Sequence, residues 1–169
     1  MSYHKVPGTL QMQAADCGAA SLKMLLDDLK FQYTLEEIRN AVCVGRDGAS
    51  LRDIINAGQT LGFTLEPVRG TSFKEPQFDN VPLLMFWNRN HFVVFEGFKN
   101  KKFIINDPAE GRRFLEEEEF SKAFSGIMLK ITAKPKDQNS YLSPNLISEN
   151  TILKSLVSES FEEILIALI

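Results

Sequence analysis

The sequence predicts an α+β domain in which an N-terminal helical half precedes an antiparallel β-sheet half. Three observations lead there. Apolar residues recur at helical spacing between residues 19 and 62; from Phe63 to Thr132 they alternate or run in short blocks; and helices come before strands instead of interleaving with them, as a wound parallel sheet would require. A chain of 169 residues with 44% hydrophobic content can fill one core and carry a short appendage.

The elements follow in order. Leu22, Leu25, Leu26 and Leu29 stand at i, i+3, i+4 and i+7, one buried face of a helix that begins at Cys17. Thr34-Leu35-Glu36-Glu37 and Ser50-Leu51-Arg52-Asp53 match the capping-box pattern, in which a hydroxyl accepts the third residue's N–H while the acid reaches back. They open two short helices, the first burying Ile38 and Val42, the second Ile54, Ile55 and Leu61 with Gly62 as its stop. Strands are expected over 63–69, 81–87, 91–98, 102–107, 112–116 and 126–132, with a polar stretch around Pro76 after the first and a helix over 116–124 before the last. The compact domain is thus expected over 1–132. Residues 133–150 have the polar, proline-bearing composition of a linker, and 151–169 read as an amphipathic helix with an apolar end, short of the about 20 residues a membrane span needs.

Charge and cysteine usage remove several function classes. Nineteen Lys and Arg against 22 Asp and Glu leave a net charge of −3, so no basic field favours nucleic acid as a partner. Two cysteines without CxxC spacing and two histidines imply neither a structural zinc site nor a disulfide framework, and no metal or cofactor is expected. No GxxxxGK[ST] occurs, so ATP hydrolysis is not a property of this chain, and the N-terminus lacks the apolar run of a signal peptide, which keeps the domain on the cytosolic side.

The chemistry-bearing residues are Cys17 in QMQAADCGAASL, with Gln11 six residues before it, His91 in NHFVVFEGF, and Asp107 in FIINDPAEG. A cysteine nucleophile needs a base and a carboxylate to orient that base. If Lys99-Asn100-Lys101 form the loop of a hairpin, Phe98 faces Lys102, Val93 faces Asp107, and His91 is the diagonal neighbour of Asp107 at roughly 7–8 Å between backbones. A slip of one residue would put the two on opposite faces. Cys17, in the first turn of a helix and beside an imidazolium, is suited to exist as the thiolate. The Gln11 amide and the Cys17 backbone N–H would then face the oxyanion of a tetrahedral intermediate. The pattern reads as a cysteine peptidase.

Other residues carry plainer readings. Cys43 is expected as a small core residue, His4 as solvated in a frayed terminus, Asp16 as a helix cap, and Glu116 to Glu119 as a solvated helix start. Asp107, before Pro108, is also a turn former. Phe86 and Trp87 line either the core or a groove.

These residues resemble the C39 peptidase domains found at the N-terminus of peptidase-containing ABC transporters that process and export bacteriocins and related peptides. The resemblance covers residues 5–132. It places the family's oxyanion glutamine at Gln11, its nucleophile at Cys17, its histidine at His91 and its aspartate at Asp107, and 46–50, 87–94 and 106–113 are similar to the branch handling lanthipeptide-type leaders. It implies a papain-like fold that removes a leader after a double-glycine motif, coupled to export. The implied partners are a precursor peptide with an amphipathic helical leader ending in Gly-Gly, and the transmembrane and ATP-binding segments of a parent transporter, at whose cytoplasmic face the domain would sit. A double-glycine site implies a channel too narrow for side chains and, away from the thiol, an apolar groove for the leader, for which Phe63, Leu65 and Met85 are candidates. The alternative is a non-cleaving module that only docks cargo. The tail at 151–169 would be the truncated start of a membrane segment or, from the spacing of Leu153, Leu156, Phe161 and Ile164, a leader-like segment.

Overall fold

The structure, a computed structural model, describes residues 3–46, 48–70, 78 and 81–136. The chain divides into one unit of residues 1–134 and another of 135–169. Every element below belongs to the first, and the expected helix over 151–169 lies outside the described residues, as does most of the expected linker. Among the described residues no helix is long and apolar enough to cross a membrane.

A 3-10 turn at Ala14–Asp16 leads into helix α1, Cys17–Asp28, which starts at the expected cysteine. It buries Leu22, Leu25 and Leu26 together with Ala19, Ala20 and Met24. Both capping boxes close, at α2 (Leu35–Val42) and α3 (Leu51–Thr60). Glu37 N–H donates to Thr34 Oγ1 at 3.2 Å and Thr34 N–H to Glu37 Oε2 at 2.7 Å, while Asp53 N–H donates to Ser50 Oγ at 3.2 Å and Ser50 N–H to Asp53 Oδ2 at 2.8 Å. Leu61 caps α3 and stays half-buried, so it is not the core residue expected. Cys43 likewise departs from expectation. It is the left-handed C-cap of α2, with φ 56°, and that turn points its thiol into solvent.

Six strands follow: β1 Thr64–Arg69, β2 Leu83–Trp87, β3 His91–Lys99, β4 Lys102–Asp107, β5 Gly111–Leu115 and, after helix α4 at Glu117–Ala123, β6 Phe124–Ala133. They form one antiparallel sheet in the order β1-β6-β2-β3-β4-β5. Both faces of its middle are covered. Phe92 meets α1 at Gly18, and Phe95, three residues on and so on the other face, meets Phe120 of α4 with ring centroids 5.4 Å apart. Trp87, Val93, Phe95, Phe103 and Phe120 pack into a single hydrophobic core. That two-sided burial overturns the groove candidates: Met85 lies in this core, Phe63 sits edge-on to Phe31 at 4.9 Å, and Leu65 packs over Gly58.

The β3–β4 hairpin differs from expectation in two places that cancel. Its loop has two residues, Asn100 and Lys101, both left-handed at φ 52° and 63° as a type I′ turn requires, so Lys99 faces Lys102. A β-bulge then shifts the register between Phe95 and Gly97, leaving Glu96 unopposed and pairing Phe95 with Ile105 and Val94 with Asn106. Continued by one residue, that register places Asp107 beside Val93, as expected at the site itself.

The N-terminus is not frayed at His4. Tyr3 bridges Gly97, His4 N–H donates to the Glu96 carbonyl at 2.7 Å, and the His4 ring lies 2.8 Å from Asp28.

Candidate active site

Close approach of α1 to the sheet creates the site. A Cβ at Gly18 would stand 3.0 Å from Ile54 and 3.3 Å from Phe92, so a larger residue would push on both neighbours where the first turn of the helix comes this near. Ser21 Oγ donates to the Phe92 carbonyl at 3.1 Å. Cys17, one helical turn before Ser21 on the same helix face, is thereby carried to the residue next along β3, His91. His91 Nε2 lies 2.8 Å from Asp107 Oδ1, and Cys17 is near enough to the ring to help hold the imidazolium. With Nε2 held by the carboxylate, Nδ1 is the nitrogen left for the thiol.

Asp107 also forms the turn its proline neighbour suggested. Its Oδ1 accepts from Ala109 N–H at 2.8 Å, so one oxygen both shapes the β4–β5 connection and orients the imidazole. Burial alone would favour the neutral carboxyl. The hydrogen bonds from His91 and Ala109, with the charges of His91 and Arg113, outweigh it and hold the carboxylate below its ordinary range. His91 balances the opposite way: burial lowers its pKa, but hydrogen bonds to Asp107 and Cys17 and their negative charges raise it to about 9. A His whose folded pKa lies above its unfolded value of 6.5 stabilises the protein fully below that value and loses the contribution as pH rises through about 9. The difference in thermal midpoint between the wild type and His91→Ala should therefore shrink from about pH 6.5 to about pH 9, which scanning calorimetry at several pH values would read. A difference constant with pH would mean that the pair is not ionic.

Gln11 reaches the site by a backbone tie: its N–H donates to the Pro108 carbonyl at 2.8 Å, one residue beyond Asp107. Its side-chain Oε1 is buried with no hydrogen-bond partner among the described residues. Leu10 and Met12 on either side are exposed, at 65% and 80%. Asp16 occupies the α1 N-cap position, yet its carboxylate does not cap that helix. Fully buried, it accepts from Gln13 N–H at 2.9 Å and stands 2.9 Å from Arg39 Nε, an ion pair without hydrogen-bond alignment. Glu116 to Glu119 open α4 as expected, with Glu117, Glu118 and Glu119 in its first turn, and Trp87 is core while Phe86 is half-buried against Phe92. Among the described residues no group of His, Cys, Asp and Glu could hold a metal ion.

Sequence reasoning overlooked one cluster. Glu96 is fully buried, receives Arg112 Nε and Nη2 at 2.7 Å each and Val6 N–H at 3.0 Å, and Arg112 Nη2 also donates to the Val6 carbonyl at 2.9 Å. The signal was an acid followed by glycine inside an otherwise apolar strand, which calls for a partner and a bulge.

The thiol–imidazole–carboxylate arrangement is the one used by cysteine nucleophiles. A family model described as the Peptidase C39 family matches residues 5–136. Among curated relatives, the probable microcin-H47 secretion/processing ATP-binding protein MchF of Escherichia coli is 31% identical over 129 residues, 75% of this chain and 18% of its own length. The colicin V secretion/processing ATP-binding protein CvaB of Escherichia coli is 27% identical over 152 residues, 90% of this chain and 22% of its own. The chain thus spans about a fifth of these relatives. Among solved structures, a double glycine motif protease from an AMS/PCAT transporter in complex with the leader peptide superposes with a TM-score of 0.70 at 39% identity, covering 77% of this chain and 93% of that one. The peptidase domain of Streptococcus ComA superposes at 0.69 and 21% identity over 78% of this chain and all of its own, a likeness of fold.

Proposed function

The chain belongs to the Peptidase C39 family, and on that premise we propose that it is a cysteine endopeptidase that removes leader peptides by cutting after a double-glycine motif. The observation that carries the proposal is His91, 2.8 Å from Asp107 and near enough to Cys17 for the thiol to raise its pKa. In this reading Cys17 Sγ attacks the carbonyl carbon of the second glycine, and the electron pair moves to oxygen. As that tetrahedral species collapses, the C–N bond breaks and protonated His91 gives its proton to the leaving amine. Water then attacks the thioester, His91 takes the proton, and the thiolate departs with release of the leader acid.

Gln11 is the proposed side-chain donor to the oxyanion, beside the Cys17 backbone N–H. One feature supports it: the tie to Pro108 beside Asp107. Gln11→Ala is expected to lower kcat by roughly 10²–10³-fold with little change in KM, read from steady-state cleavage; an unchanged kcat would remove that role.

The natural substrate in this proposal is a precursor peptide with an amphipathic leader ending in Gly-Gly, and the working context is the cytoplasmic face of an exporter whose membrane and ATP-binding segments the peptidase serves. The relatives support this, since they are secretion/processing ATP-binding proteins. Residues 1–132 would be the peptidase. Incubation with a double-glycine leader peptide, with and without iodoacetamide, followed by mass spectrometry tests the proposal. One cut after the second glycine, abolished by alkylation, is the expected result. Binding without a cut would make the chain a docking module.

A further inference from the structure

We propose that the buried Glu96–Arg112 pair is a positioning device for the oxyanion side of the site, acting through the segment from Val6 to Gln11; the inference rests on the peptidase reading above. Glu96 lies five residues along β3 from His91, roughly 16 Å, too far to touch the reacting atoms. It is nevertheless connected to the site in two ways.

The first connection is register. Glu96 is the unopposed residue of the bulge, followed by Gly97 at φ 120°, and that one extra residue makes the two-residue hairpin turn compatible with Asp107 beside Val93. The second is the N-terminal segment. Glu96 accepts Val6 N–H, Arg112 Nη2 donates to the Val6 carbonyl, and the Glu96 carbonyl accepts His4 N–H, so three hydrogen bonds hold this segment against the bulge. From there the chain passes Asn106, whose side-chain atoms would lie 3.7 Å and 3.8 Å from a Cβ at Gly8, and ends on the bond from Gln11 N–H to Pro108. Residues 6–11 are therefore a strap fastened at both ends, and Gln11 is its last residue. The carboxylate is buried, and the forked pairing with Arg112 fixes direction as well as charge.

Arg112→Lys separates these functions, because lysine keeps a charge near Glu96 but lacks the planar fork that reaches Val6 as well. In the purified chain, amide exchange over residues 6–11 should accelerate at least about tenfold while α1 stays protected. On the double-glycine peptide, kcat should fall roughly tenfold with KM within about twofold. In a Gln11→Ala background the same substitution should lower kcat less than about twofold, since the donor it positions is gone. Glu96→Gln should act in the same direction, with a larger loss of thermal stability. Unchanged exchange over 6–11 would overturn the proposal, and so would a kcat loss of equal size with and without Gln11. A wild-type chain that cuts no leader would instead sink the peptidase reading, and the exchange experiment would still decide whether Arg112 and Glu96 hold the strap.

Discussion

Replacing Cys17 with alanine is expected to abolish leader cleavage, by more than about 10⁴-fold, while leaving the Kd for the leader within about twofold. The size follows from the chemistry: without Sγ no thioester forms, and His91 and the oxyanion donors have no nucleophile to assist. The selectivity follows from the packing. Cys17 is buried at the first turn of α1, where alanine is a favourable helix residue and removes a single atom, so α1 keeps its contacts through Gly18 and Ser21. Calorimetry should show a modest change in midpoint, and peptide binding by fluorescence anisotropy should be preserved. A second signature is local. Interaction with Cys17 helps to raise the His91 pKa, so in the alanine variant the imidazole should titrate lower than about 9 by NMR. Loss of leader affinity in proportion to turnover would show instead that Cys17 is part of the packing.

The elements legible in the sequence were those fixed by local rules. Thr34 with Glu37 and Ser50 with Asp53 satisfy each other across three residues, so both helix starts could be read from four-letter patterns. The site was legible for a related reason: His91 and Asp107 lie at the ends of neighbouring strands, and period-two alternation decides whether they share a face. That reading came out correct at Asp107 through two compensating differences, a shorter turn at Asn100-Lys101 and a bulge at Glu96. The acid followed by glycine hints at the bulge, but a bulge is settled by what the buried acid finds, and its partners Arg112 and Val6 are 16 and 90 residues away. Cys43 and the groove candidates misled for a common reason. Apolar neighbours suggest burial or a surface patch, but the backbone direction at a helix end sends Cys43 outward, and cover on both faces of the sheet leaves nothing of Met85 exposed.

Loss of the imidazole should be nearly as severe as loss of the thiol, and the contrast with Asp107 is informative. His91→Ala is expected to lower kcat by about 10³–10⁴-fold or more, since it removes both the acid that protonates the leaving amine and the base that activates water. Asp107→Asn should be milder. The asparagine oxygen can still accept from His91 Nε2 and from Ala109 N–H, so the ring keeps its direction and the β4–β5 turn keeps its bond; what disappears is the charge. Papain-like cysteine proteases carry an asparagine in this role. The charge should appear in the pH profile instead. Cleavage by the wild type should fall as pH rises through about 9, where His91 loses the proton the leaving amine needs, and in Asp107→Asn that alkaline limb should move to lower pH because a neutral partner stabilises the imidazolium less. An Asp107→Asn variant as inactive as His91→Ala, with its fold intact, would mean that the carboxylate takes part in the chemistry directly. An unmoved alkaline limb would assign that limb to a group other than His91.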